Sequence, residues 1–194
     1  MKKTSLGCVV MAAGNARRFG ANKRAAEVDG KSLIRRTLEA IPAEQFDAVT
    51  VVTQYPEVAE LAAAFGFGCV KNEHPDWGIS HTISLGLQTL SHLDAVMFQV
   101  SDQPLLQKES VNAMLDYYRR HSDKIVGLSH NGVRGNPCIF PARFFPELIA
   151  LREDHGGNTV IRRHEEDLLL YEVPARSFLM WIPRNNWRSC KEIL

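Results

Sequence analysis

The sequence predicts an α/β protein in three layers, a mostly parallel central sheet with helices on both faces, and three features predict it. Apolar runs of strand length alternate with segments of helical spacing along the chain, the pattern of a parallel sheet wound through crossover helices. The first run ends in a glycine-bearing loop, Met11-Ala12-Ala13-Gly14. The run Ala95–Val100, a strong central strand, ends directly in Ser101-Asp102-Gln103-Pro104. Ligands of open α/β sheets sit beyond the carboxyl ends of the strands, so both loops fall where chemistry is expected.

Each element has its own signal. Leu6–Met11 is the first strand, Ser32–Ile41 has helical spacing and stops at Pro42, and the valine-rich Ala48–Thr53 is the second strand. Glu57–Phe65 reads as a helix closed by Gly66. Cys69-Val70 is a short strand, and Ser80–Leu90 a helix preceded by Gly78. After the central strand comes an amphipathic helix, Glu109–Arg120, then a strand at Ile125–Leu128 and a turn at Asn131-Gly132. Cys138–Phe140 and Leu168–Val173 read as strands, with short helices at Phe144–Leu151 and Asn158–Arg163. There is no internal repeat, low-complexity tract or linker.

A chain of 194 residues suits one such domain, which buries roughly 70% of its unfolded surface. Apolar residues make up 45% and charged residues 23%, ordinary for a globular protein. A net charge of +1 gives no general attraction to nucleic acid or to a membrane surface, and no apolar run approaches a membrane span. The short apolar run after Met1-Lys2-Lys3 ends in the glycine loop with no cleavage site, unlike a signal peptide. Cys8, Cys69, Cys138 and Cys190 form no C-x-x-C pair and are expected to be reduced thiols of a cytoplasmic protein.

The first loop continues through Arg18, Gly20 and Lys23. Backbone N–H groups of such a loop approach phosphate oxygens, and the two cations neutralise their charge. The spacing is that of neither the P-loop nor the dinucleotide fingerprint, and a glycine loop after a strand is also an ordinary α/β connection. Asp102, directly after the central strand, suits Mg²⁺, which borrows phosphate oxygens and keeps several waters; the same aspartate would serve to cap a turn. The segment from Asn72 to Leu87 brings Ser80, His81 and Thr82 to a helix start, where hydroxyls and N–H groups bind a nucleotide or merely cap the helix. His81 is expected on the pocket rim.

In order along the chain, these segments resemble the molybdenum cofactor nucleotidyltransferases, which carry the MobA-like NTP transferase domain in a Rossmann-like nucleotidyltransferase fold. The first loop resembles the family's A-A-G-x-x-x-R-x-G-x-x-K, with Phe19 where methionine is usual. Ser101-Asp102-Gln103-Pro104 resembles G-D-Q-P, with serine for the glycine. Asn72, Gly78, Ser80, Ser84, Leu85, Gly86 and Leu87 match the family's N-P-x-x-x-x-G-x-S-x-S-L-x-x-G-L. Gly135-Asn136-Pro137 stands where the family has G-H-P; asparagine cannot carry charge, which weakens any acid–base role. Glu153-Asp154-His155-Gly156-Gly157-Asn158 is similar to G-D-x-G-A/G-R, with Asn158 in place of arginine. The same segment also reads as a glycine turn that starts a helix.

The resemblance implies nucleotidyl transfer, and the A-A-G form of the loop implies CTP rather than GTP. It places Ala12, Ala13, Gly14, Arg18, Gly20, Lys23, Asn72, Ser80 and Asp102 around the nucleotide, with Arg18, Lys23 and Asp102 catalytic. Asp102 would hold Mg²⁺ (or Mn²⁺). Gln103, Asn136, Pro137 and Asp154 would meet the acceptor, by resemblance a molybdopterin. Partners implied are CTP or another NTP, that acceptor, and a molybdenum hydroxylase apoenzyme. Another phosphorylated acceptor, such as a sugar phosphate or methylerythritol phosphate, is an alternative. So is a catalytically impaired accessory protein that binds nucleotide or molybdopterin.

Residues 1–176 are expected to form the single domain and 177–194 an aberrant tail. The family's end carries D-x-D-T-P-E-D, whose aspartate helps hold the metal, whereas Leu179–Arg188 contains no acid. Codons for Leu179–Arg188 can be chosen that, read in another frame, encode D-V-D-T-P-E-Q-L-A. A frameshifted tail is the expectation, with no regular strand packing for Trp181 and Trp187.

Overall fold

The computed structural model describes residues 4–14, 27–28 and 30–178. Its centre is a seven-stranded sheet flanked by helices on both faces. The strands are β1 (Leu6–Ala12), β4 (Ala48–Thr53), β5 (Gly68–Lys71), β6 (Ala95–Val100), β7 (Ile125–His130), β8 (Val133–Pro141) and β9 (Leu168–Glu172). Two further short strands, β2 (Glu27–Val28) and β3 (Lys31–Ser32), pair antiparallel with each other. The sheet order is β5-β4-β1-β6-β8-β7-β9, and every strand runs parallel to its neighbour except β8, which is antiparallel to both β6 and β7. The mostly parallel α/β sheet expected from the sequence is the sheet observed.

Alternation along β1 divides the core in two. Cys8, Val10 and Ala12 face one layer, made by α1 (Leu33–Glu39), α2 (Pro56–Ala64), α4 (Lys108–Arg119) and α7 (Ala175–Phe178). Val9 faces the other, where α3 (Ile79–Leu90), α5 (Phe145–Ala150) and α6 (Gly157–Arg163) bring Ile83, Leu87, Leu148 and Val160. Two carboxylates register the start of β1. Asp47 accepts from Leu6 N at 2.8 Å, and Asp94 accepts from the Ser5 backbone N and hydroxyl at 2.8 Å each.

Local chemistry explains the element ends. Ser32 caps α1 by accepting from Arg35 N. Pro56 opens α2, where its missing N–H costs nothing, and Gly66 ends it at φ +73°. Asn131 and Gly132, both at positive φ, form the turn between β7 and β8. Three expectations change in detail. β8 is nine residues long rather than three because it pairs on both sides. The helix expected at 144–151 begins as a 3-10 turn, Ala142–Phe144, before α5. The packed core also takes in Ser177 and Phe178, which are 0% and 1% exposed, two residues past the division drawn from the sequence. The rest of the tail lies outside the described residues.

Candidate active site

The site is built on the carboxyl edge of the sheet, and the pairing of β1 with β6 sets it. Met11 lies opposite Val100, so Ala13-Gly14 and Ser101-Asp102 leave neighbouring strands at the same height. Ala12 and Ala13 are buried, whereas Gly14 is exposed, and among the described residues nothing stands within 4 Å of where its Cβ would be. Asp102 is half-buried.

The Asp102 loop is fastened from below. Gln103 is fully buried; its Nε2 donates to Asn136 O at 3.0 Å and its Oε1 accepts from Gln99 Nε2 at 3.2 Å. Both ends of its amide are thereby occupied, so Gln103 ties the loop to the start of β8. That tie places Asn136 and Pro137 on the same edge, beside Asp102.

Between β1, β6, β8 and the starts of α3 and α6 lies a cavity of about 130 Å³. Its wall includes Met11, Ile79, Ile83 and Val100, and its polar groups come from Arg134, Asn136 and Asn158. Apolar walls with a few convergent polar groups are the usual make-up of a small-molecule site. Cys138 also lines it; burial pushes its thiol up, and the nearby Arg134 guanidinium opposes that shift.

Asn72 and Ser80 are committed to the fold. Asn72 is 1% exposed; its Nδ2 donates to Thr82 Oγ1 at 3.1 Å and its Oδ1 accepts from His74 N at 2.9 Å. The Ser80 hydroxyl donates to Glu153 O at 2.7 Å, and Ser80 N donates to the same oxygen at 3.2 Å. Gly78 packs so closely there that a Cβ would sit 2.2 Å from Glu153 O. This clasp holds the start of α3 against the 153–154 turn. Asp154 stands beyond the clasp, exposed, on a groove shared with Trp77 and Arg152. It lines that groove and not the cavity that holds Asn136.

Arg18, Gly20 and Lys23 lie outside the described residues, as does the acid-free Leu179–Arg188. Sequence reasoning assigned no role to Gln54 or Tyr55, both of which touch the first loop. Gln54 Nε2 donates to Ala13 O at 2.8 Å and Tyr55 Oη donates to Gly14 O at 3.0 Å. The only signal for them is their place just past Thr53, which becomes informative once Thr53 is known to lie opposite Ala12.

The donor set can be tested for a divalent metal. Asp102 offers one half-buried carboxylate on the edge where a triphosphate would lie, which fits Mg²⁺ or Mn²⁺ with phosphate oxygens completing the shell. Among the described residues the one three-member cluster with metal-ligand geometry is His164, Glu166 and Asp167. It lies at the opposite edge, before β9, and two of its three side chains are already engaged. Asp167 meets Lys124 and Arg143, and His164 meets Glu147.

Comparison with known proteins agrees with this architecture. The family model described as the MobA-like NTP transferase domain matches residues 8–168. The purine catabolism protein PucB of Bacillus subtilis (strain 168) is 23% identical over 165 residues, covering 79% of each chain. Rv0371c from Mycobacterium tuberculosis H37Rv, solved as a complex with manganese, superposes with a TM-score of 0.71 at 20% identity, covering 89% of this chain and 92% of that one. A CMP:2-keto-3-deoxy-manno-octonic acid synthetase complexed with CTP gives a TM-score of 0.67 at 12% identity, covering 88% and 90%. At these identities the two superpositions speak for the fold.

Proposed function

This chain belongs to the family of MobA-like NTP transferase domains, and on that premise we propose that it transfers a cytidylyl group from CTP to a molybdopterin-type acceptor, releasing pyrophosphate. The observation that carries the reading is the register of β1 with β6, which sets an open glycine loop beside a half-buried carboxylate. A terminal phosphate oxygen of the acceptor attacks the α-phosphorus, a new P–O bond forms, and the bond to the leaving pyrophosphate breaks. Such transfer asks the protein for positioning and charge stabilisation rather than covalent chemistry. The N–H groups of the Ala12–Gly14 loop, with Arg18 and Lys23 from the stretch that follows it, hold the triphosphate. Asp102 would hold Mg²⁺ or Mn²⁺, which when bound would supply electrostatic stabilisation of the phosphate oxygens. Gln103 positions the Asp102 loop, and Asn136 and Pro137 meet the acceptor at the same edge of the sheet. Manganese in the Rv0371c complex and CTP in the synthetase complex support the choice of metal and nucleotide.

A screen of the four NTPs with Mg²⁺ or Mn²⁺ and purified molybdopterin, read by pyrophosphate release, tests the proposal. CTP should be preferred. Release that needs no acceptor, or no release from any triphosphate, overturns it; a preference for GTP moves the nucleotide assignment alone.

One observation favours a second reading. Leu179–Arg188 holds no acid where the family carries a metal-binding aspartate. A chain so changed would bind nucleotide or molybdopterin and hand it to a molybdenum hydroxylase apoenzyme while turning over slowly. The gene's DNA tests the origin of the tail: codons at Leu179–Arg188 that do not encode D-V-D-T-P-E-Q-L-A in another frame exclude a frameshift.

A further inference from the structure

Three consecutive carbonyls at the mouth of the site are each taken by one of three consecutive residues. Thr53 Oγ1 donates to Ala12 O at 3.1 Å, Gln54 Nε2 to Ala13 O at 2.8 Å and Tyr55 Oη to Gly14 O at 3.0 Å. The set follows from register, because Ala12 is the partner of Thr53 at the end of the β1–β4 ladder. Beyond that pair the ladder stops and side chains continue it. Thr53 Oγ1 also accepts from Tyr55 N at 3.1 Å, which fixes the turn that presents Tyr55.

We propose that Gln54 and Tyr55 are positioning residues that aim the backbone N–H groups of the first loop at the phosphates of the bound nucleotide. In a planar trans peptide the N–H points opposite to the C=O. Fixing the carbonyl of Ala12 on Thr53 turns the N–H of Ala13 away from β4, and fixing that of Ala13 on Gln54 does the same for Gly14. The space in front of Gly14 is open among the described residues. A loop free to rotate these planes would also offer carbonyl oxygens to an anion, and oxygen repels phosphate. Donors fixed in advance need no reorganisation when the charged ligand arrives. The inference rests on the nucleotidyl-transfer reading and adds to it two residues that touch no substrate.

The test separates aiming from folding. Tyr55→Phe removes one hydroxyl and Gln54→Ala one amide, and both should melt within a few degrees of wild type. Each should raise the KM for CTP about fivefold to tenfold, the worth of one ordinary hydrogen bond, with kcat changed less. Inhibition by cytidine, which has no phosphate, should be unchanged. In amide spectra the shift of the Gly14 N–H on adding CTP should shrink in Gln54→Ala. A wild type that turns over CTP while both variants keep its KM overturns the strut and leaves the reaction standing. Cytidine weakened as much as CTP also overturns it, because the defect is then general. A wild type that binds no nucleoside triphosphate overturns the transfer reading and the strut together.

Discussion

At the residue scale the proposed transfer divides the work between Asp102, which would hold a cation, and Lys23, which would meet an anion. Removing a preorganised charge-stabilising group costs roughly 10²–10³ in rate. Asp102→Ala and Lys23→Ala should each lose at least that much cytidylyl transfer, measured by pyrophosphate release. A second charge governs stability. The Arg143 guanidinium, with the Lys124 ammonium beside it, holds the Asp167 carboxyl down to about 2 from its ordinary 3.8. A carboxyl depressed in the folded state stabilises above its unfolded pKa and loses that contribution as the pH falls through the folded one. Wild type should therefore melt above Asp167→Asn at pH 7, and the gap should close between about pH 4 and pH 2. Asp102 stood out in the sequence because it directly follows a buried strand. Ser80 was legible only as a helix start. Its partner, Glu153 O, is 73 residues away, and no local pattern encodes that bond.

Among the elements, α3 depends most on a single position. Gly78 sits at φ +86°, ψ −179°, in a region that side chains avoid, and Glu153 O leaves no room for a Cβ. Gly78→Ala should cost about 2 kcal/mol or more, whereas Gly66→Ala, at φ +73° with open space around it, should cost roughly 1 kcal/mol. Urea titration of the two variants checks the difference. The central parallel strands β1, β4 and β6 were legible nearly to the residue, because buried parallel strands are continuous apolar runs, whereas β8 was seen only in part and β2 and β3 not at all. Direction was not: β8 has the same apolar character whether it runs with β6 or against it, and its antiparallel pairing comes from the tight Asn131-Gly132 turn. The 3-10 turn Pro75–Trp77 and the helix Ala175–Phe178 left no periodic signal, being three and four residues long.

For the molecule as a whole, burial decides how its thiols behave. Cys8 and Cys138 are buried and Cys69 is exposed. Burial pushes the Cys8 thiol far up, which removes the reactive thiolate. Under native conditions a thiol reagent should label Cys69 and leave Cys8 and Cys138 untouched until denaturant is added; peptide mapping of the labelled chain checks this. Fold class was legible at this scale, since alternation of strand and helix requires it. The groups that brace the first loop were not, because Gln54 and Tyr55 acquire meaning only when β1 and β4 lie side by side. The place of β8 has a consequence for biosynthesis. The ribosome completes β1, β4, β5 and β6 before it makes the strand that covers the outer flank of β6. Until residue 133 emerges, that flank offers bare amides and carbonyls to any passing strand. Chains cut short there become templates for self-association, and the last third of the polypeptide acts as the guard of the first two.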